Sequence, residues 1–217
     1  MTKVIGIIPA GGNAERFNGI AKEMLPISAD DCALTRCIKS MKLGGADEIF
    51  IASTQGKVAE HWTLADYAKD VVIRVQAKGF RGLWEVIAAI GESEKADWYY
   101  FAMPDTVYPV DVFKREKKHD ASCGVFWTDK PHRFGVVRDG KITDKPAEVT
   151  GAVVAWGVWI WSGAAMGVLA KACRETQNHT AALNVLIQRY PVDAFLMPYY
   201  YDFAAFEDYR DFLCQQS

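Results

Sequence analysis

Apolar residues along this chain fall into two alternating rhythms. Short apolar runs lie at 4–8, 48–52, 71–75, 98–103, 123–127, 152–161 and 192–197. Their length and their β-branched and aromatic content predict strands. Between most of them, apolar residues recur at helical spacing, at about 34–43, 57–67, 83–91, 109–118, 163–175 and 180–189, with a last segment near 205–214. In that last segment Phe206, Tyr209 and Leu213 fall on one helical face, with Glu207, Asp208, Arg210 and Asp211 turned mostly outward. Strand–helix alternation predicts an α/β layer fold with a largely parallel sheet. Residues 123–145 break the rhythm, with short strands around a hairpin-type turn at Arg138-Asp139-Gly140-Lys141. In the run 152–161, Trp159 and Trp161 share one strand face and Val158 and Ile160 the other, which predicts core packing.

Composition narrows the class. The chain has 217 residues, half of them hydrophobic, enough for one good-sized core, and residues 1–217 read as a single domain. A formal net charge of -2 gives no basic surface for nucleic acid and no membrane-binding face. The longest apolar stretch, Gly151 to Trp161, is too short to span a bilayer, and nothing at the N-terminus resembles a signal peptide. Five scattered cysteines without a CxxC pair predict reduced, mostly buried thiols in a cytoplasmic protein. His61 and His119 fall near the ends of expected helices, where surface or capping roles are expected.

Ligands of such sheets gather beyond the carboxyl ends of the strands. There the first strand empties into Ala10, Gly11 and Gly12, followed by Arg16 and Lys22. A glycine pair lets main-chain N–H groups converge on phosphate oxygens, although a bare pair also makes an ordinary tight turn. An arginine fork and a mobile lysine downstream would clamp a polyphosphate. Neither G-x-G-x-x-G nor a G-K-[ST] loop is present. Asp105 follows a nearly all-apolar strand and Asp202 a later one. Carboxylates so placed suit Mg²⁺, whose shell phosphates and water complete, and the alternative for Asp105 is an N-cap ahead of Val110. The amide of Gln76 donates and accepts at once, as the edge of uracil or thymine requires.

The stretch PAGGNAERFNGIAKEMLPI, residues 9–27, resembles the opening motif of the sugar-1-phosphate nucleotidylyltransferases, and KEMLPI at 22–27 is especially like the bacterial UTP–glucose-1-phosphate uridylyltransferases. Four later segments agree in order: QAKGFRGLWEVI at 76–87, YYFAMPDTVYP at 99–109, DKP at 144–146 and YYYDFAAFEDYRDF at 199–212. The chain departs from the pattern at Ala14-Glu15, at the short gap from Arg16 to Lys22, at Ala21 in place of proline, and at Phe203-Ala204-Ala205. The short gap also occurs in cytidylyltransferase relatives, so the departures bear on the acceptor more than on the reaction.

The resemblance implies a nucleotide-diphospho-sugar transferase fold of the GT-A, Rossmann-like kind. It implies Mg²⁺-dependent nucleotidyl transfer from a nucleoside triphosphate, UTP or dTTP favoured, to a sugar 1-phosphate. It assigns Arg16, Lys22 and Asp105 to catalysis, and Ala10, Gly11, Gly12, Gln76 and Gly82 to the nucleotide. Lys145, Gly135 and Gly151 fall to the sugar phosphate, and Asp105 and Asp202 to the metal. Trp156 or Trp159 is a further candidate for the sugar pocket. Homo-oligomerisation is compatible with it. Two other readings stay open. A glycosyltransferase of similar fold usually carries Asp-x-Asp after a central strand, where this chain has Pro104-Asp105-Thr106. A non-catalytic nucleotide-binding regulator would fit the altered loops, but not the joint presence of Arg16, Lys22, Asp105 and Asp202.

Overall fold

The computed structural model describes residues 2–12, 17, 20–58, 61, 72–77 and 79–216. Arg16 and most of the expected helix at 57–67 lie outside these residues. The strands are β1 (Val4–Pro9), β2 (Glu48–Ser53), β3 (Val72–Ala77), β4 (Trp98–Ala102), β5 (Thr106–Val107), β6 (Ala121–Thr128), β7 (Gly135–Arg138), β8 (Lys141–Asp144), β9 (Val153–Ser162), β10 (Val192–Leu196) and β11 (Tyr201–Asp202). The α-helices are α1 (Ala33–Leu43), α2 (Leu83–Ser93), α3 (Gly163–Thr176), α4 (His179–Arg189) and α5 (Phe206–Gln216). The fold is α/β, a mixed, mostly parallel sheet flanked by helices. Among the described residues no helix is long and apolar enough to cross a membrane.

The chain divides into two compact units. One comprises Ile5–Gly79, Ala102–Arg115 and Tyr199–Ser217. Here β1, β2 and β3 pair in parallel, in sequence order. Ile5, Ile7, Ile8, Ile49 and Ile51 are fully buried, as a parallel strand covered on both faces requires. Leu34, Ile38 and Met41 of α1, at helical spacing, are equally buried, and a Cβ on Gly6 would meet the Met41 sulfur at 2.5 Å. The helix starts on a capping box made with a cysteine. Cys32 Sγ accepts from the Thr35 N–H, and Thr35 Oγ1 accepts from the Cys32 N–H.

The other unit comprises Met1–Val4, Phe80–Phe101 and Glu116–Pro198. Its strand order is β10-β6-β9-β4, with the β7–β8 hairpin joined to β9. The hairpin turns at Asp139 and Gly140, φ 51° and 68°, the left-handed pair a tight two-residue turn needs. Trp159 and Trp161 are buried and stacked, with ring centroids 6.0 Å apart. Three of the chain's five thiols, Cys37, Cys123 and Cys173, are buried, and none of the five is in a disulfide.

Three expectations fail. Residues 109–118 form turns, not a helix. Pro109 and β-branched neighbours disfavour helix there, and Tyr108, Val112 and Phe113 are buried for packing, with Tyr108 edge-on to Phe113 at 6.4 Å. Without that helix, Asp105 is no N-cap. Helix α5 buries Tyr209 and Phe212 while Phe206 and Leu213 are exposed. The buried pair packs on Phe203 at 5.3 Å each, and the Tyr209 hydroxyl donates to the Pro26 carbonyl at 2.6 Å. Asp202, expected just beyond a long strand, lies instead within a short one: β10 ends at Leu196, and Tyr201–Asp202 forms β11, paired antiparallel with β5.

Gly135 packs directly under the Trp156 indole. A Cβ there would overlap the indole nitrogen and stand 2.7 Å from Cδ1. Gly135→Ala should therefore destabilise the chain by about 1–3 kcal/mol through overpacking. A thermal melt showing an unchanged midpoint would contradict this packing.

Candidate active site

Lys22 and Asp105 meet in one unit. Lys22 opens a 3-10 turn, Lys22–Met24, and its ammonium forms an ion pair with the Asp105 carboxylate. The Asp105 residue is 5% exposed, and the Lys22 side chain keeps 26% of its surface in solvent. A buried carboxylate facing a partly wet ammonium satisfies the rule that buried charge is paired.

Asp202 reaches the same neighbourhood by an unexpected route. In the β5–β11 pair Asp202 stands opposite Thr106, and the Phe203 N–H donates to the Asp105 carbonyl at 3.0 Å. Both aspartates act on one phenol. Burial pushes the Tyr200 hydroxyl well above its ordinary pKa, and the charges of Asp202 and then Asp105 add to it. The Tyr200 ring stacks on Tyr108 at 6.2 Å, and the Tyr108 hydroxyl donates to Cys37 Sγ at 3.1 Å. Thus both carboxylates act on one stacked pair of tyrosines, Tyr108 buried and Tyr200 half-buried. The carboxylates come from segments nearly a hundred residues apart, joined by a small antiparallel pair and not by two long parallel strands.

The rest of the first-strand loop is described in part. Ala10 is buried, with its N–H on the Ala52 carbonyl at 2.7 Å, and Gly12 is exposed. Gln76 lies in β3 with its backbone opposite Ala52.

In the other unit, Gly82 is the N-cap of α2. Lys145 follows β8, exposed and in the left-handed region at φ 45°, with its N–H on the Phe134 carbonyl at 2.9 Å. A non-glycine residue there is uncommon and marks a position held by its surroundings. Gly135 is buried opposite Asp144, and Gly151 has φ 84°. Trp156 lies near His179, 6.4 Å between ring centroids. Burial lowers the His179 pKa, against the Asp144 charge, and Lys145 lowers it further.

Sequence reasoning missed one cluster entirely. Glu23, the residue after Lys22, is 2% exposed. Its Oε1 accepts from Lys57 Nζ at 2.9 Å and from His61 Nε2 at 3.1 Å. His61, expected at a surface or cap, is fully buried, and among the described residues its Nδ1 has no hydrogen-bond partner. Burial would push the Glu23 carboxyl up, but the hydrogen bonds from His61 and Lys57 outweigh it and hold the group below its ordinary value. A Lys57–His61 spacing of four residues was the available signal, but nothing local pointed it at Glu23.

No family model matches the sequence, and no curated protein matches it. Among solved structures, the chain matches the 2.76 Å crystal structure of a candidate glucose-1-phosphate thymidylyltransferase from Bacillus anthracis, in complex with a sucrose. The two are 18% identical, the match covers 98% of this chain and 94% of the other, and the TM-score is 0.82. At that identity the likeness establishes the shared fold.

Glu23 should make the chain acid-sensitive. Its folded pKa lies below the unfolded value, about 4.3. Its stabilisation is therefore complete above that value and is lost as pH falls through the lower, folded one. Glu23→Gln should flatten this acid limb in urea titrations. It should also cost about 3–5 kcal/mol at pH 7 by leaving a buried ammonium uncompensated. An unaltered acid limb in the variant would show that the Glu23 charge is not what the fold depends on.

Proposed function

We propose that the protein transfers a nucleotidyl group from a nucleoside triphosphate, UTP or dTTP favoured, to a sugar 1-phosphate, releasing pyrophosphate. The observation that carries this reading is the Lys22–Asp105 ion pair with Asp202 paired beside it, in a fold shared with the thymidylyltransferase structure. It puts a phosphate-seeking ammonium and two hard oxygen donors in one neighbourhood.

In the reaction, an oxygen of the sugar phosphate attacks the α-phosphorus. The new O–P bond forms as the bond to the β-phosphate oxygen breaks, and pyrophosphate carries away the electron pair. Such transfers need positioning and charge neutralisation more than covalent chemistry. Lys22, with Arg16, offsets the charge developing on the α-phosphate and the leaving group. Ala10, Gly11 and Gly12 supply main-chain contact to the phosphates, Gln76 reads the base edge, and Gly82 belongs to the same nucleotide assignment. Lys145, with Gly135 and Gly151, takes the sugar phosphate.

Asp105 and Asp202 fit Mg²⁺. Both are hard donors, and Asp105 already accommodates a cation in the form of the Lys22 ammonium. Two carboxylates suffice where phosphates and water complete the shell. When bound, the ion would neutralise phosphate charge and polarise the phosphorus. On phosphate binding, Lys22 would turn from Asp105 to the substrate, leaving the carboxylate to the ion.

The test is pyrophosphate release from a panel of nucleoside triphosphates against glucose 1-phosphate, other sugar 1-phosphates and other phosphorylated alcohols, with and without Mg²⁺. Lys22→Ala should cut turnover roughly a hundred- to thousandfold, and by leaving the buried Asp105 carboxylate without its cation it should also lower the melting midpoint. Asp105→Asn and Asp202→Asn should each abolish most Mg²⁺-dependent activity, and the double variant should be little worse. Absence of pyrophosphate with every pair, or a fully active Lys22→Ala enzyme, would overturn the reading. Sugar transfer from a nucleotide-sugar in place of pyrophosphate release would favour the glycosyltransferase alternative.

A further inference from the structure

The Glu23–Lys57–His61 cluster is costly to build, although breaking it by removing one partner is costlier still. Glu23 is 2% exposed, Lys57 8% and His61 0%. Removing two charges from water costs several kcal/mol per ion, and well-packed apolar residues often do as well or better. What ionic hydrogen bonds supply, and apolar contacts do not, is direction. Lys57 and His61 lie one helical turn apart, with the His61 N–H on the Lys57 carbonyl at 3.1 Å, and both side chains converge on the same oxygen of Glu23.

The element they grip is short, and its other described tie runs through Leu25, whose carbonyl accepts from the Ala33 N–H at 3.3 Å and whose side chain packs on the cluster of Phe17 and Phe203. The 3-10 turn is three residues long, and Ala21 at its N-cap makes no side-chain cap bond. Its own backbone bonds, Met24 N–H to Ala21 and Leu25 N–H to Lys22, close the turn but do not aim it. Lys22 and Glu23 are consecutive in that turn, Lys22 reaching Asp105 and Glu23 reaching Lys57 and His61.

We propose that the buried Glu23–Lys57–His61 cluster is a positioning device that anchors the 3-10 turn and so aims the Lys22 ammonium at Asp105 and the reacting phosphates. The role in turnover rests on the reading of Lys22 as a phosphate contact. The anchoring of Lys22 does not. Lys57 follows β2, whose end also holds Ala10 through the Ala52 carbonyl. One strand end therefore steadies both sides of the first loop.

The experiment replaces the cluster by apolar residues, Glu23→Leu with Lys57→Met and His61→Leu, and reads Lys22 directly. Brief acetylation with acetic anhydride followed by mass spectrometry gives the reactivity of Lys22, with exposed Lys171 as internal reference. An ammonium held on a carboxylate reacts slowly. In the triple variant Lys22 should label several-fold faster than in the wild type, approaching an Asp105→Asn control, while the melting midpoint stays near the wild-type value. Turnover should fall by up to about a hundredfold, with the KM for the nucleotide changing much less, as misplacement of one reacting group predicts. His61→Leu, which removes one of the two donors toward Glu23 and leaves its charge paired with Lys57, should also raise Lys22 labelling and serves the same comparison should the triple variant not fold. A folded variant whose Lys22 labels at the wild-type rate overturns the proposal. If the wild type releases no pyrophosphate with any substrate pair, the reaction is wrong, and the labelling alone decides whether the cluster positions Lys22.

Discussion

Two carboxylates in one unit, Glu23 and Asp105, lie almost wholly out of water, and each must face a cation. Leaving either charge unpaired would cost more than most single contacts return. Lys57 answers the first and Lys22 the second. Because Lys22 and Glu23 are neighbours in the chain, the two pairings cannot be satisfied independently. The short turn between them takes the orientation that serves both. That constraint ties three distant segments together: the loop after β1, the turn after β2, and the start of β5. In the same unit Tyr108 stacks on Tyr200, whose hydroxyl feels the Asp105 and Asp202 charges.

In the other unit, the backbone around one exposed lysine is fixed. Lys145 sits at the end of the β7–β8 hairpin, in a backbone region that a lone exposed residue would leave. The hairpin is tied down from one side by Asn184 of α4. Its side chain accepts from the Ile142 N–H at 2.8 Å and donates to the Ile142 carbonyl at 2.8 Å. The backbone bond from Lys145 to Phe134 fixes the exit. What the hairpin orders is the backbone; the exposed Lys145 side chain keeps its own rotamer freedom.

Much of the fold was legible in the chain itself. Strand and helix periods are local properties, and β1, β2, β3, β4, β6, β9 and β10 all form where the apolar runs stand. The hairpin at Asp139-Gly140 was legible because its turn needs left-handed residues that few sequences supply. The segment 109–118 misled because residues buried by tertiary packing happened to fall at helical spacing. The face of α5 misled for a related reason. Three apolar residues shared a stripe, but the phenol of Tyr209 and its partner Phe212 found the better neighbours in Phe203 and Pro26.

For the site, the sequence alone determined the residue types that matter: a lysine after a glycine loop, and an aspartate after each of two apolar runs. Those are one-dimensional facts, fixed by order and chemistry. Only the tertiary structure decided which of them meet. It joined Asp105 to Asp202 through a two-residue antiparallel pair too short to leave a periodic signal. It also turned His61 inward onto Glu23, because a buried carboxylate selects its partners by geometry across space, and no spacing along the chain encodes that choice.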